Sequence, residues 1–516
     1  MKTFNQKKQL FYIHFKAFIL GCFSLFCFAP YNLYFLNFLI FTSFLLIFYK
    51  NKKILTFKQS FIYGCAFGFG YFLSNIHWIT ISLTFDESFK ILIPFALIII
   101  PLFLSIFIGL ATVLSRTCVD NKISFVIYFS ILFSLFEFIR GTIFTGFPWN
   151  LIAFSWSQSI ENIQILSLIG TYSLSLFSIT LFCSPFLLFV NKFKIKDIVF
   201  LGIIFLMFIS NYVYGFMVLK NDNNFTYSDI TIKIISSNIL LHDSLKSNSE
   251  IKEVENLITL SEPKDEEKTI FIWPEGSLKE TDLRNIKLYE KIFSKNFSKN
   301  HIIVLGINST SGEGINKKYF NSMAVLNNQA NIISTYHKNK LVPFGEFLPF
   351  EFFLSKFGLK KITEGYNSFS KGSDRKIIKL AKKFNNISFL PLICYEIIYT
   401  GKIKRKNQSP DLIINISEDG WFGNSVGPYQ HFSHAKFRAV EEGLFVARST
   451  NNGVSAFIDS KGRVIKSLKN GKSGVLKVKS PIFLKNTFFS KYGNNLFFFF
   501  LLLYILFFLI LKKYEK

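Results

Sequence analysis

Three side chains in the C-terminal half of the chain have the chemistry of a nucleophilic site: Glu275, Lys338 and Cys394. Each stands at the end of an apolar run that reads as a strand: Thr269 to Trp273, Ile332 to His337, and Ile387 to Cys394. Loops at strand ends are where α/β folds carry functional groups. Taken singly, a loop Glu or Lys is usually solvated, and a free Cys is most often a small packed hydrophobe. Together they form a workable set. The carboxylate can take the thiol's proton, and the ammonium can stabilise both thiolate and oxyanion. No histidine is required, and none of the seven is expected beside Cys394. The chain shows no metal-ligand spacing, glycine-rich phosphate loop or nucleotide fingerprint, so no cofactor is expected.

The elements that must position these groups follow from pattern. A strand is expected at Ile230 to Ser237 and a helix at Ser249 to Leu260. Then come a helical stretch near Asp282 to Phe297 and strands at His301 to Ile307, Met323 to Leu326 and Leu412 to Ile416. A helix from Gln430 to Ala447 leads into strands at Val454 to Asp459 and Gly462 to Ser467. Alternating strands and helices define an α/β layered domain. Residues 347–375 interrupt it with Phe347, Leu348, Phe350, Phe352, Phe353, Leu354 and Phe357. So apolar an excursion reads as a lid turned towards lipid.

The rest of the chain explains why lipid should be near. Its 516 residues include 67 phenylalanines, and long apolar stretches fill residues 9–219 and recur at 492–511. Candidate membrane spans are 10–29, 33–49, 59–83, 90–115, 123–141, 162–190, 197–218 and 492–511, each near the ~20 residues a bilayer requires. The fold class is therefore a polytopic α-helical membrane protein of about eight spans with an inserted α/β domain. Expected boundaries are 1–219 for the first seven spans, 220–490 for the domain, and 491–516 for the last span and tail. Basic segments at Lys50 to Lys53, Arg116 to Lys122, Lys192 to Lys196 and Lys512 to Lys516 fall on the side of the basic N-terminus. The positive-inside rule makes that side cytoplasmic and the domain extracytoplasmic. The net charge of +26 is then read as attraction to anionic lipid, with no nucleic-acid partner. Of six cysteines, Cys394 alone lies in the inserted domain, an unpaired thiol in an oxidising compartment. Glu137 and Arg140, near the end of the fifth span, read either as a functional pair or as an interfacial one anchored by Trp149.

Trp273-Pro274-Glu275, then Lys338 with Leu341-Val342-Pro343-Phe344-Gly345-Glu346, then Cys394-Tyr395-Glu396 resemble the Glu-Lys-Cys triad of the nitrilase superfamily. The run to Phe347-Leu348-Pro349 resembles the apolipoprotein N-acyltransferase branch. So do Gly420-Trp421-Phe422-Gly423, Arg448 to Gly453, and Glu137 to Trp149. The resemblance covers essentially the whole chain and implies an αββα sandwich for the domain. It implies Cys394 as nucleophile, Glu275 as general base, Lys338 as stabiliser of oxyanion and thiolate, and Glu346, Tyr395 and Glu396 as supporting residues. It further implies a phospholipid acyl donor, a diacylglyceryl-cysteine lipoprotein acceptor, a thioester intermediate and the bacterial inner membrane as location, with nothing demanding more than a monomer. A membrane-tethered amidase would share the triad but hydrolyse its intermediate. Two departures stand out. Leu240 and Ser247 replace a proline and a tryptophan of the family pattern, and Glu418 stands where an asparagine is usual. Neither is expected to touch the triad.

Overall fold

The computed structural model describes residues 2–190, 194–221, 226–239, 250–354, 356, 361, 368–401, 403, 409–482 and 486–514. The chain forms two compact units. One comprises Met1–Thr80, Lys90–Asn221 and Phe488–Lys516, the other Ile81–Phe89 and Asp222–Thr487.

The first unit is helical: α1 (Lys2–Phe23), α2 (Leu36–Lys50), α3 (Phe57–Ile76), α4 (Ile93–Ser115), α5 (Lys122–Thr142), α6 (Leu166–Cys183) and α7 (Ile195–Lys220), closed by Asn495–Tyr514. Among the described residues, six helical stretches are long and apolar enough to cross a membrane: Gln6–Cys27, Glu87–Cys118, Lys122–Thr142, Leu166–Phe189, Ile195–Lys220 and Asn495–Lys513. The other two expected spans are also helices, α2 with 15 residues and α3 with 20. Bare positions let α3 approach its neighbours. A Cβ on Gly64 would collide with Thr112 of α4, and one on Gly70 with the Phe18 carbonyl of α1.

Glu137 and Arg140 are both buried, and each makes hydrogen bonds to the backbone of the segment that follows. Ile152 N–H donates to Glu137 Oε1 at 2.9 Å, and Arg140 Nη1 donates to the carbonyls of Phe147 (2.7 Å) and Trp149 (2.9 Å). Trp149 is 1% exposed, so it is a packed core residue and not an interfacial anchor.

The second unit is a two-sheet sandwich. Its strands are β1 (Tyr227–Ser236), β2 (Thr269–Ile272), β3 (Leu278–Asp282), β4 (His301–Ser311), β5 (Lys318–Asn327), β6 (Ile332–His337), β7 (Ile378–Lys379), β8 (Ser388–Ile393), β9 (Leu412–Glu418), β10 (Phe445–Asn451), β11 (Ser455–Ile458), β12 (Val464–Leu468) and β13 (Gly474–Pro481). One sheet runs β13-β1-β2-β4-β5-β6, with β3 also paired to β4; the other runs β12-β11-β10-β9-β8-β7. The strands at the centre of each sheet, β1-β2-β4 and β8-β9-β10, are parallel and nearly unbroken in burial, the pattern of a sheet covered on both faces. Helices α8 (Glu250–Ser261) and α9 (Glu290–Asn296) cover the first sheet. Val254, Leu257, Phe293 and the nearby Phe297 interlock there with Phe271, Trp273, Ile303 and Leu305. Helix α10 (Gly427–Glu442) packs on the second sheet. Between the sheets, small hydroxyls join β1 to β10: Ser236 Oγ donates to the Thr450 carbonyl at 3.0 Å and Ser449 Oγ to the Ile235 carbonyl at 2.6 Å. This is the αββα arrangement.

One expected element is wrong. The helix read as Gln430 to Ala447 stops at Glu442, and Phe445–Asn451 is the strand β10. Gly443, at φ 67°, caps the helix in the left-handed region. The following seven residues are all buried and pair in parallel with β9. The excursion at 347–375 is described only in part. Leu348 is buried whereas Phe350 and Phe352 are 77% and 82% exposed; Phe357 lies outside the described residues.

Candidate active site

Strand ends deliver the site. Glu275 follows β2, Lys338 follows β6, and Cys394 follows β8. Pro391 is admitted into β8 because β7 pairs only with Ser388 and Phe389. Cys394 itself takes φ +48°, a strained turn for a residue with a Cβ. Glu275 is held by a close approach. A Cβ on Gly306 of β4 would stand 2.6 Å from the Glu275 Cα, so the Trp-Pro-Glu-Gly turn lies directly on bare β4 backbone. Gly276, at φ +66°, completes that turn.

Lys338 is 1% exposed and sits between two carboxylates. Its Nζ lies 2.8 Å from Glu346 Oε1 and 3.3 Å from Glu275 Oε1. Burial opposes its charge, yet Glu275 and Glu346 outweigh that and hold its pKa well above the ordinary lysine value. The ammonium is therefore permanent. Asn321, in β5, donates to both carboxylates, at 2.7 Å to Glu275 Oε1 and 2.8 Å to Glu346 Oε1. Glu346 Oε2 accepts the Val342 N–H at 2.8 Å, which closes the Val342–Glu346 loop on itself.

Cys394 is buried, and burial pushes its thiol pKa up; the Glu275 charge pushes it further, while Lys338 pulls it down. Asp419 raises it as well, and the neighbouring Ser417 hydroxyl lowers it. The resting group is a neutral thiol, so a base must act as it reacts. Behind it lies a buried ionic cluster. Asp419 accepts from Ser417 Oγ (2.7 Å), from His431 Nδ1 (3.0 Å) and from Arg448 Nη2 (2.8 Å). Burial opposes its ionisation, but Arg448 and then His431 hold its pKa down to about 2.

The supporting residues divide. Glu346 joins Lys338 directly. Glu396, fully buried, does not enter that cluster. Its Oε1 accepts from Tyr336 Oη (2.6 Å), Asn339 N (2.9 Å) and Lys340 N (3.1 Å), with Arg375 Nη2 at 2.9 Å, while its Oε2 accepts Ile393 N at 2.9 Å. It fastens the turn after β6 to the end of β8. Tyr395 is buried, its ring edge-on to Tyr399 at 5.5 Å between centroids.

Two sequence expectations are corrected. Glu418 does touch the triad: its backbone N–H donates to Glu275 Oε2 at 2.8 Å. A histidine also comes close, since the backbone of Cys394 is one of the groups that act on the His431 imidazole. Asn321 lies just ahead of the strand expected at Met323 to Leu326 and inside the observed β5, and nothing in the sequence singled it out. Leu240 and Ser247 lie outside the described residues. Among the described residues, no cluster of His, Cys, Asp or Glu has the makings of a metal site.

The carbon-nitrogen hydrolase family model matches residues 288–481, a range that takes in β4 to β13 with Lys338 and Cys394 and begins after Glu275. The model for the apolipoprotein N-acyltransferase N-terminal domain matches residues 20–184. An apolipoprotein N-acyltransferase of Rickettsia prowazekii (strain Madrid E) is 34% identical over 496 residues, 92% of this chain and 94% of that one. That of Rickettsia typhi (strain ATCC VR-144 / Wilmington) is 35% identical over 483 residues, 93% and 94% of the two chains. One from Brucella melitensis biotype 1 is 31% identical over 427 residues, 80% and 78%. The chain belongs to the apolipoprotein N-acyltransferase family. It is a membrane protein and an acyltransferase.

Proposed function

We propose that this enzyme transfers a fatty acyl chain from a membrane phospholipid to the N-terminal amine of a diacylglyceryl-cysteine lipoprotein through a thioester on Cys394. The observation that carries the reading is the Lys338 ammonium fixed between Glu275 and Glu346, close enough to Cys394 for its charge to act on the thiol. Glu275 accepts the thiol proton as Sγ attacks the ester carbonyl carbon. Lys338 and backbone N–H groups stabilise the tetrahedral oxyanion. The intermediate collapses to the thioester, and the lysophospholipid leaves with the proton from Glu275. In the second half, the acceptor amine attacks the thioester, Glu275 takes the amine proton, and the amide forms as the thiolate departs and is reprotonated. Glu346 orients Lys338, while Tyr395 and Glu396 shape the turn that presents Cys394.

Membrane placement follows the same reading. Residues 1–219 and 491–516 anchor the enzyme in the bacterial inner membrane, and residues 220–490 work on the extracytoplasmic side as a monomer. Exposed Phe350 and Phe352 give the domain an apolar edge suited to lipid. Excluding water there protects the thioester from hydrolysis.

Intact-mass analysis tests the assignment. The native protein incubated with phospholipid gains one fatty acyl mass, and C394A gains none. A covalent acyl adduct that persists in C394A overturns it. Labelled donor with and without acceptor lipopeptide separates transfer from hydrolysis, because a hydrolase releases free fatty acid in both cases.

A further inference from the structure

Glu275 has two oxygens with different company. Oε1 takes Lys338 and Asn321, whereas Oε2 has one hydrogen-bond partner among the described residues, the backbone N–H of Glu418. Oε2 therefore keeps the lone pair free to receive a proton, and the Glu418 N–H sets its direction.

The side chain of Glu418 fixes that N–H. It is the last residue of β9 and is 5% exposed. Its Oε1 accepts the Gly420 N–H at 2.9 Å, which closes the turn, and its Oε2 accepts Asn451 Nδ2 at 2.7 Å. Asn451 is in turn fixed to the exit of β1: its Oδ1 accepts Ser237 Oγ (2.9 Å) and Ile239 N–H (2.8 Å), and its Nδ2 also reaches the Ile239 carbonyl (2.8 Å). Both partners of the Glu418 carboxylate are donors, an arrangement made for an anion. An O–H on either oxygen would need an acceptor of its own where these contacts supply only donors. The charged groups around it are Glu275 and Lys279, and Lys279, Glu275 and Asn451 line a narrow cleft with Glu253 of α8. Asp419, next in the chain, is spent on Arg448 and His431.

We propose that Glu418 is a positioning residue for the general base: ionised, it locks the β9 turn to Asn451 and aims Glu275 Oε2, and protonated, it loosens both. The inference rests on Glu275 being that base. Burial raises the Glu418 pKa to about 7, with Lys279, Asn451 and Gly420 pulling the other way. The ionised state therefore gains population as pH rises through neutrality.

The test is the pH dependence of single-turnover acylation of the full-length protein by a p-nitrophenyl fatty acyl ester, followed by intact mass. The native enzyme should show a rise in acylation rate centred near pH 7. E418Q should lose that rise and acylate about tenfold more slowly above neutrality, the equivalent of one charge-assisted hydrogen bond. N451A, which removes one donor and keeps the other, should move the inflection to higher pH. A rate and profile unchanged in either variant overturns the proposal. Failure of the triad assignment looks different, since the native protein would then gain no adduct on Cys394 at any pH.

Discussion

Glu346→Gln isolates what the second carboxylate does for Lys338. Glu346 uses both oxygens on donors, Lys338 Nζ and Asn321 Nδ2 on one side and the Val342 N–H on the other. Either orientation of a glutamine amide leaves a donor facing a donor. Replacing a charge-assisted acceptor by a neutral one costs about 1 kcal/mol, and stranding one buried N–H costs about 1–3 kcal/mol. The sum is about 2–4 kcal/mol. If it falls wholly on the acylation barrier, the rate drops about 30- to 1,000-fold, at 1.36 kcal/mol per factor of ten. The assay is rapid-quench acylation read by intact mass, with the thermal transition of the same preparation recorded alongside. The part of the loss borne by the resting fold appears as a lower Tm and the remainder as a slower step. Acylation within about threefold of native and an unchanged Tm would refute the argument that Glu346 holds Lys338 in place.

Three further substitutions probe the site from other directions. Because the Glu275 charge raises the Cys394 pKa and Lys338 lowers it, E275Q should speed iodoacetamide alkylation of Cys394 at fixed pH while abolishing acyl transfer, and K338M should slow both; slower alkylation in E275Q contradicts the electrostatic account. G306A must push the Glu275 turn away from β4, so acylation should fall at least tenfold, about one misplaced hydrogen bond, with the domain still folded by circular dichroism; native activity would show that the turn gives way freely.

Much of this architecture was legible in the sequence because apolar runs announce both spans and buried strands. Two of the three strand-end groups were legible for the same reason: Thr269 to Trp273 and Ile387 to Cys394 are largely apolar runs with a reactive residue at or just beyond the tip. What escaped has a physical pattern. β10 was absorbed into the preceding helix because Ala439 to Ala447 has good helix formers, and the stop signal was one glycine, Gly443. Glu418 reaches Glu275 through its backbone N–H, a contact with no signature in residue type. Asn321 and His431 become neighbours of the site only when β5 and α10 dock, and a linear pattern carries no record of that.

Glu396 has a consequence for assembly. It draws hydrogen bonds from the turn following β6 in one sheet and from the end of β8 in the other, with Arg375 alongside. A single carboxylate thus acts as the clasp that sets Lys338 and Cys394 in a common frame, where the sheets themselves meet through small hydroxyls at β1 and β10. Until that clasp closes, the ammonium and the thiol belong to separate halves and neither tunes the other. In the folded domain that shared frame is what lets the Lys338 charge pull the Cys394 pKa down against burial and Glu275, so the tuning of the thiol depends on both sheets at once.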